Sequence, residues 1–291
     1  MKKIYIILIT LPILIFITSI LFIFNYQLLK KIPDKIIKNI EDKKINLDNN
    51  YKKVKNFKLE NLNRYKEYHV KNESLSYETV VNYVNIGLDY NFYNYINNVD
   101  MSKNINILIN KYHKLENSYK PDDLEEINDK YFISGNLYAR EMKKDAKEAF
   151  EKLSEDSFNE GVSIYGQSAY RSYQTQESYY NIAVNNLGQT DADNETARPG
   201  HSEHQTGLTI DVSSTKTGDM LSFDKTESFI WMKNNAYKYG FILRYPKGLE
   251  HIHGFIYESW HYRYVGIKVA KDMHNNYPNM TYDEYYYKFI D

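Results

Sequence analysis

The sequence predicts an α+β chain: a small antiparallel sheet flanked by helices, preceded by a transmembrane helix and a mainly helical stalk. Three observations predict it. Residues 4–24 carry no charge, and at ~1.5 Å per residue such a run is about as long as a bilayer core is thick. Residues 25–72 are rich in Lys, Asn and Asp with scattered Ile, Leu and Val, as in Lys53-Val-Lys-Asn-Phe57. Beyond residue 118, short β-rich runs alternate with stretches of helical period.

Taken in order, residues 1–3 read as a short cytoplasmic tail and 4–24 as an uncleaved signal anchor. The apolar run continues through Leu21-Phe-Ile-Phe24 into Asn25 without a small-residue cleavage site. Lys30, Lys31, Lys35 and Lys38 follow the span, which by charge alone faces the large domain inward; long domains cross regardless of such charges. Residues 25–117 read as stalk and small helical subdomain, with Ser76 as a helix cap before Val80, Val81, Val84 and Leu88. Tyr119-Lys-Pro-Asp-Asp marks a boundary, so 118–291 is expected as the catalytic domain. Within it, 136–153 reads as a helix presenting Leu137, Met142, Ala146, Ala149, Phe150 and Leu153, and about 226–239 as another. Residues 162–165, 208–212, 241–245 and 251–257 read as strands.

Composition excludes several function classes. The 291 residues balance 37 basic against 38 acidic groups, a net charge of -1, so no global field draws the chain to nucleic acid. There is no cysteine, which removes disulfides and thiolate chemistry and leaves His, Asp and Glu as metal ligands.

Two clusters carry chemistry. In Ser202-Glu-His-Gln-Thr-Gly-Leu-Thr-Ile-Asp211 a loop delivers His204 and a strand delivers Asp211. In Glu258-Ser-Trp-His261 one turn sets Glu258 and His261 on the same side. Two histidines and one carboxylate form a usual catalytic zinc set with a coordination position open, and Glu258 is left over as a base.

These motifs, Ser202-x-His204-x-x-Gly207-x-x-x-Asp211 with Glu258-x-Trp260-His261, resemble the VanY-type D-alanyl-D-alanine carboxypeptidases, a family of zinc peptidases, from about residue 118 onward. The resemblance implies one Zn2+ per catalytic domain held by His204, Asp211 and His261, with Glu258 as catalytic base. Ser168-Ala-Tyr-Arg-Ser-Tyr-Gln-Thr-Gln176 is similar to the segment in which that family places a cleft arginine and glutamine. Arg171 would then polarise the scissile carbonyl, while Gln176 and Ser202 hold substrate backbone. The family usually has alanine where Thr209 stands and proline where Ser259 stands; neither departure touches a ligand or the base. The implied reaction is release of the terminal D-alanine from peptidoglycan stem peptides ending in D-Ala-D-Ala, outside the membrane; the chain is expected as a monomer. Alternatives are an endopeptidase of the same zinc family and an inactive wall-binding module.

Bland readings stand beside the sharp ones. His69, His113 and His274 are assigned to structure or surface. His201 stands three residues before His204, but the ligand set is complete without it. His251 and His253, on a presumed hairpin, are expected in a rim or hydrogen-bonding role, and Arg198 either meets substrate or pairs with a nearby carboxylate. Trp231, Tyr237, Tyr239, Phe241 and Tyr245 are expected as core and cleft wall.

Overall fold

The computed structural model describes Lys38, residues 48–136 and residues 139–291. The expected tail and membrane span, and Leu137, lie outside the described residues. Among those described, no helix is long and apolar enough to cross a membrane. The chain forms two compact units, Met1–Leu62 and Asn63–Asp291.

The second unit opens with helices α1 (Leu62–Lys71) and α2 (Tyr77–Ile86). Ser76 caps α2 by accepting from the Thr79 amide, and Gly87 ends it at φ 107°. A Cβ on Gly87 would sit 3.3 Å from the Tyr112 ring, so the turn packs as closely as glycine permits. Two short strands, β1 (Asn97–Asn98) and β2 (His113–Lys114), pair in parallel, and β3 (Leu124–Glu126) pairs antiparallel with β4 (Glu141–Lys143). Helix α3 (Lys144–Asn159) follows β4 directly and buries Ala146, Phe150 and Leu153 at helical spacing. The helix expected from residue 136 therefore starts later, because Met142 belongs to a strand.

Strand β5 (Tyr165–Ser168) leads to α4 (Tyr173–Leu187) and α5 (Gln189–Glu195), then to β6 (Thr209–Ser213). Next come α6 (Glu227–Asn235), β7 (Phe241–Leu243), α7 (Glu250–His253), β8 (His261–Tyr264), α8 (Ile267–Asn276) and α9 (Tyr282–Tyr285). Thr226 caps α6, which passes into a 3-10 turn at Ala236–Tyr239, so the expected helix ends about one turn earlier in α form. The strand expected at 251–257 is replaced by α7 and a loop. Gly254 at φ 80° closes that turn, and the alternating histidines of a four-residue helix are indistinguishable from strand alternation by pattern alone.

Strands β5 to β8 form one antiparallel sheet in the order β5-β6-β8-β7. All five residues of β6 are buried. Ile210 and Val212 point into a core with Phe150, Trp231, Phe241 and Tyr262; the alternate residues Thr209 and Asp211 face the other way, opposite Arg263 and His261. A second core joins Ile86, Leu108 and Tyr112 to Ile242, Val265, Met273 and Tyr282. Residues 63–117 are therefore packed into the same unit as the catalytic elements, and the expected division between 117 and 118 is absent.

Candidate metal centre

The loop before β6 is a 3-10 turn, Glu203–Thr206, ended by Gly207 at φ 69°. A Cβ on Gly207 would lie 2.7 Å from Leu124 Cδ2, so the reversal that carries the chain from His204 into β6 requires glycine. Asp211 then stands directly opposite His261 in the register of β6 and β8. Glu258 is brought beside His261 by the tight turn between them, in which the His261 amide donates to Glu258 O at 3.4 Å.

The geometry joins the expected ligands. Ligand atoms of His204, Asp211 and His261 all lie within 4.8 Å of one another. His204 Nε2 is 3.3 Å from Asp211 Oδ2, and His261 Nδ1 is 3.3 Å from Asp211 Oδ1 and 3.4 Å from Glu258 Oε2. Proximity here is not pairing: His204 Nε2 and Asp211 Oδ1 are buried without a hydrogen-bond partner. Two buried donor atoms aimed at a shared space cost stability unless a cation fills it. With two nitrogens and one carboxylate, the set fits zinc with a coordination position to spare.

Electrostatics follow from burial and mutual proximity. Burial pushes the Asp211 carboxyl up, but His204 and His261 outweigh it and hold the group well below the usual carboxylate range. Burial, with Arg171 beside it, brings His204 down to about 4. For Glu258 burial wins and raises the carboxyl above its ordinary value.

Arg171 lies on the His204 side, with Nη2 3.8 Å from Asp211 Oδ2. Nη1 donates to Gln176 Oε1 at 3.0 Å, and Gln176 in turn donates to Ala197 O at 2.7 Å. The cavity is lined by Arg171, Gln176, Ser202, His204, Glu258 and His261, so every expected site residue but Asp211 reaches it directly. Tyr245 and Phe255 form its opposite wall, with the Tyr245 ring 4.7 Å from that of His261.

The residues set aside stay structural. His201 Nδ1 lies 2.8 Å from Asn110 O, and its ring meets Tyr93 edge-on. Arg198 pairs with Asp193 through two bonds of 2.8 and 2.9 Å. His253 holds Pro246 O at 3.1 Å. Sequence reasoning missed Glu203, whose side chain is fully buried between Arg244 and Arg263. The signal was present: an arginine inside the apolar run Phe241-Ile-Leu-Arg244 needs a buried anion, and Arg263 shares a strand face with His261.

Residues 139–267 match the family model described as VanY, D-alanyl-D-alanine carboxypeptidase. The chain is also 37% identical over 209 residues to the putative carboxypeptidase YodJ of Bacillus subtilis (strain 168), covering 69% of this chain and 76% of that one. The chain belongs to the VanY family. It is a zinc metallopeptidase of that family. A D-alanyl-D-alanine carboxypeptidase of Enterococcus faecium is 33% identical over 62% of this chain and 57% of its own. Among solved structures, the LdcB LD-carboxypeptidase aligns with a TM-score of 0.61 at 37% identity, covering 66% of this chain and 90% of that one. The VanY D,D-pentapeptidase in complex with Zn(II) aligns at 0.52 and 26% identity, covering 62% and 97%.

Proposed function

We propose that this VanY-family enzyme is a zinc-dependent D,D-carboxypeptidase that removes the terminal D-alanine from peptidoglycan stem peptides ending in D-Ala-D-Ala. One observation carries the reading: the unpaired His204 Nε2 and Asp211 Oδ1 converge with His261 between a free-standing carboxylate, Glu258, and a fixed guanidinium, Arg171. The substrate class is supported by the relatives, among them a VanY structure in complex with D-alanine-D-alanine, 25% identical with a TM-score of 0.52.

His204, Asp211 and His261 would hold the zinc, which would supply Lewis acidity to the scissile carbonyl and to the attacking water. Glu258, 3.4 Å from His261, takes the proton of the attacking water and later returns it to the leaving amine. Arg171, oriented by Gln176, stabilises the negative charge that develops on the carbonyl oxygen. Ser202 and Gln176 hold substrate backbone along the cavity.

A second reading is favoured by the LdcB alignment: an L,D-carboxypeptidase would use the same residues on the tetrapeptide left after the first cut. The localisation belongs to the same proposal. Residues 4–24 anchor the chain in the cell membrane with the enzyme on the outer side, where the stem peptides are.

The test is release of D-alanine by the full chain from a pentapeptide ending in D-Ala-D-Ala and from the matching tetrapeptide, with zinc, with chelator, and with Glu258→Ala. Zinc-dependent release from the pentapeptide is expected. Release from the tetrapeptide alone moves the assignment to the L,D reading, and internal cleavage moves it to an endopeptidase. Zinc binding without any cleavage leaves a wall-binding module.

A further inference from the structure

Behind the metal ligands lies a cluster of four buried charges that no step above uses. Glu203 Oε1 accepts from Arg244 Nε at 2.9 Å and from Arg263 Nη1 at 2.8 Å. Arg244 Nη1 donates to Asp283 Oδ2 at 2.6 Å and Nη2 to Ile109 O at 3.2 Å. Arg263 Nη2 donates to Ile105 O and Ile107 O at 2.9 and 3.0 Å. Both arginines, Glu203 and Asp283 are 0 to 1% exposed. Two cations balance two anions, and Glu203 is fixed through one oxygen.

Its other oxygen, Oε2, lies 3.4 Å from His261 Nε2. That contact determines which nitrogen of His261 is free. A neutral imidazole carries one N–H and one lone pair, and a carboxylate only accepts. Of the carboxylate contacts of His261 only this one has hydrogen-bond geometry, so the proton sits on Nε2, facing Glu203, and the lone pair on Nδ1, which lies 3.3 Å from Asp211 and 3.4 Å from Glu258. His204 has the opposite arrangement. Its Nδ1 lies 2.6 Å from Ala169 O, which also only accepts, so Nε2 is its free nitrogen. The two histidines present different nitrogens to one point, each oriented by a different acceptor.

We propose that Glu203 is the positioning residue of the metal ligand His261: by accepting the Nε2 proton it fixes the tautomer and ring orientation that turn Nδ1 toward the metal. The inference rests on the zinc reading of the site. Arg244 and Arg263 hold Glu203 in place, so the ligand's orientation is ultimately fixed by the carbonyls of residues 105–109. Such outer partners are typically worth about 10- to 100-fold in metal affinity.

Two measurements on the full chain test it. Ring 15N–1H spectra of the zinc-loaded wild type should show His261 with a protonated Nε2 and metal on Nδ1, and His204 with the reverse. Zinc affinity by chelator competition, on variants whose metal-free fold is verified by melting, should fall about 10- to 100-fold in Glu203→Gln. Asp283→Asn disturbs the same cluster without touching His261; it should lower the melting temperature and leave affinity within about threefold, taking tenfold as the least outer-partner effect. Metal on His261 Nε2, wild-type affinity in folded Glu203→Gln, or equal losses in both variants would overturn the proposal. If Glu203→Gln does not fold, the wild-type ring spectrum decides. A wild type that binds no zinc would sink the zinc reading itself, a result distinct from any of these.

Discussion

His261 stands between two charged regions of opposite character. Behind it, every side-chain nitrogen and oxygen of Arg244, Arg263, Glu203 and Asp283 has a partner within the protein. In front, His204 Nε2 and Asp211 Oδ1 are as deeply buried but lack partners. Burial is the same, so burial does not mark the site; satisfaction does. A fully paired cluster is scaffold, while an incompletely paired one facing a cavity is built for something that comes from outside.

The contrast can be broken from the front with the largest effect. Glu258→Ala is expected to lower kcat about 10²- to 10⁴-fold, the range for loss of a general base, with zinc content unchanged by metal analysis. Loss of zinc along with activity would instead make Glu258 a ligand. Breaking the back should cost stability first. Asp283→Ala leaves Arg244 with one carboxylate for two buried guanidiniums, and about 3–5 kcal/mol of unfolding free energy is expected to be lost, measured in urea. A change under about 1 kcal/mol would mean water reaches the cluster.

The third prediction concerns pH, away from the ligands. His201 is 4% exposed, and burial lowers its pKa to about 4 from 6.5. The unfolded chain takes this proton first as pH falls, so stability is full above 6.5 and is lost between 6.5 and 4, by up to about 1.4 kcal/mol per unit. His201→Gln should flatten the melting temperature across that window relative to the wild type; parallel curves would show that His201 is already charged in the fold. The smallest effect sharpens the satisfaction argument. Thr209 Oγ1 is buried without a partner on the face that carries Asp211. Unlike the metal-facing atoms, it belongs to no ligand set. Thr209→Val keeps the shape and should raise stability by about 1 kcal/mol with activity intact. Destabilisation would mean the hydroxyl has a partner in water.

The same distinction explains what could be read from the sequence. His204, Asp211, Glu258 and His261 were legible because a metal site demands particular residue types at local spacings, and glycine at 207 fixes the turn between two of them. The antiparallel sheet was legible from its β-rich runs. Residues 251–257 misled because four residues of alternating His and apolar side chains satisfy either period. Glu203 was passed over because its meaning depends on Arg244, Arg263 and Asp283, residues 41, 60 and 80 positions away in sequence. No local pattern encodes a pairing at that range. The Asn-rich composition of residues 63–117 disguised a segment that contributes main-chain oxygen atoms to the buried arginines, and such atoms are invisible to side-chain patterning.

Those oxygen atoms decide how small the enzyme can be made. A chain cut back to residue 118, or to the 139–267 core that the family shares, would strip Arg244 and Arg263 of the carbonyls of Ile105, Ile107 and Ile109. Two cations would then sit in an apolar interior with fewer acceptors than donors. The compact unit that contains the metal centre runs from Asn63, so a working fragment is expected to need everything from that residue onward.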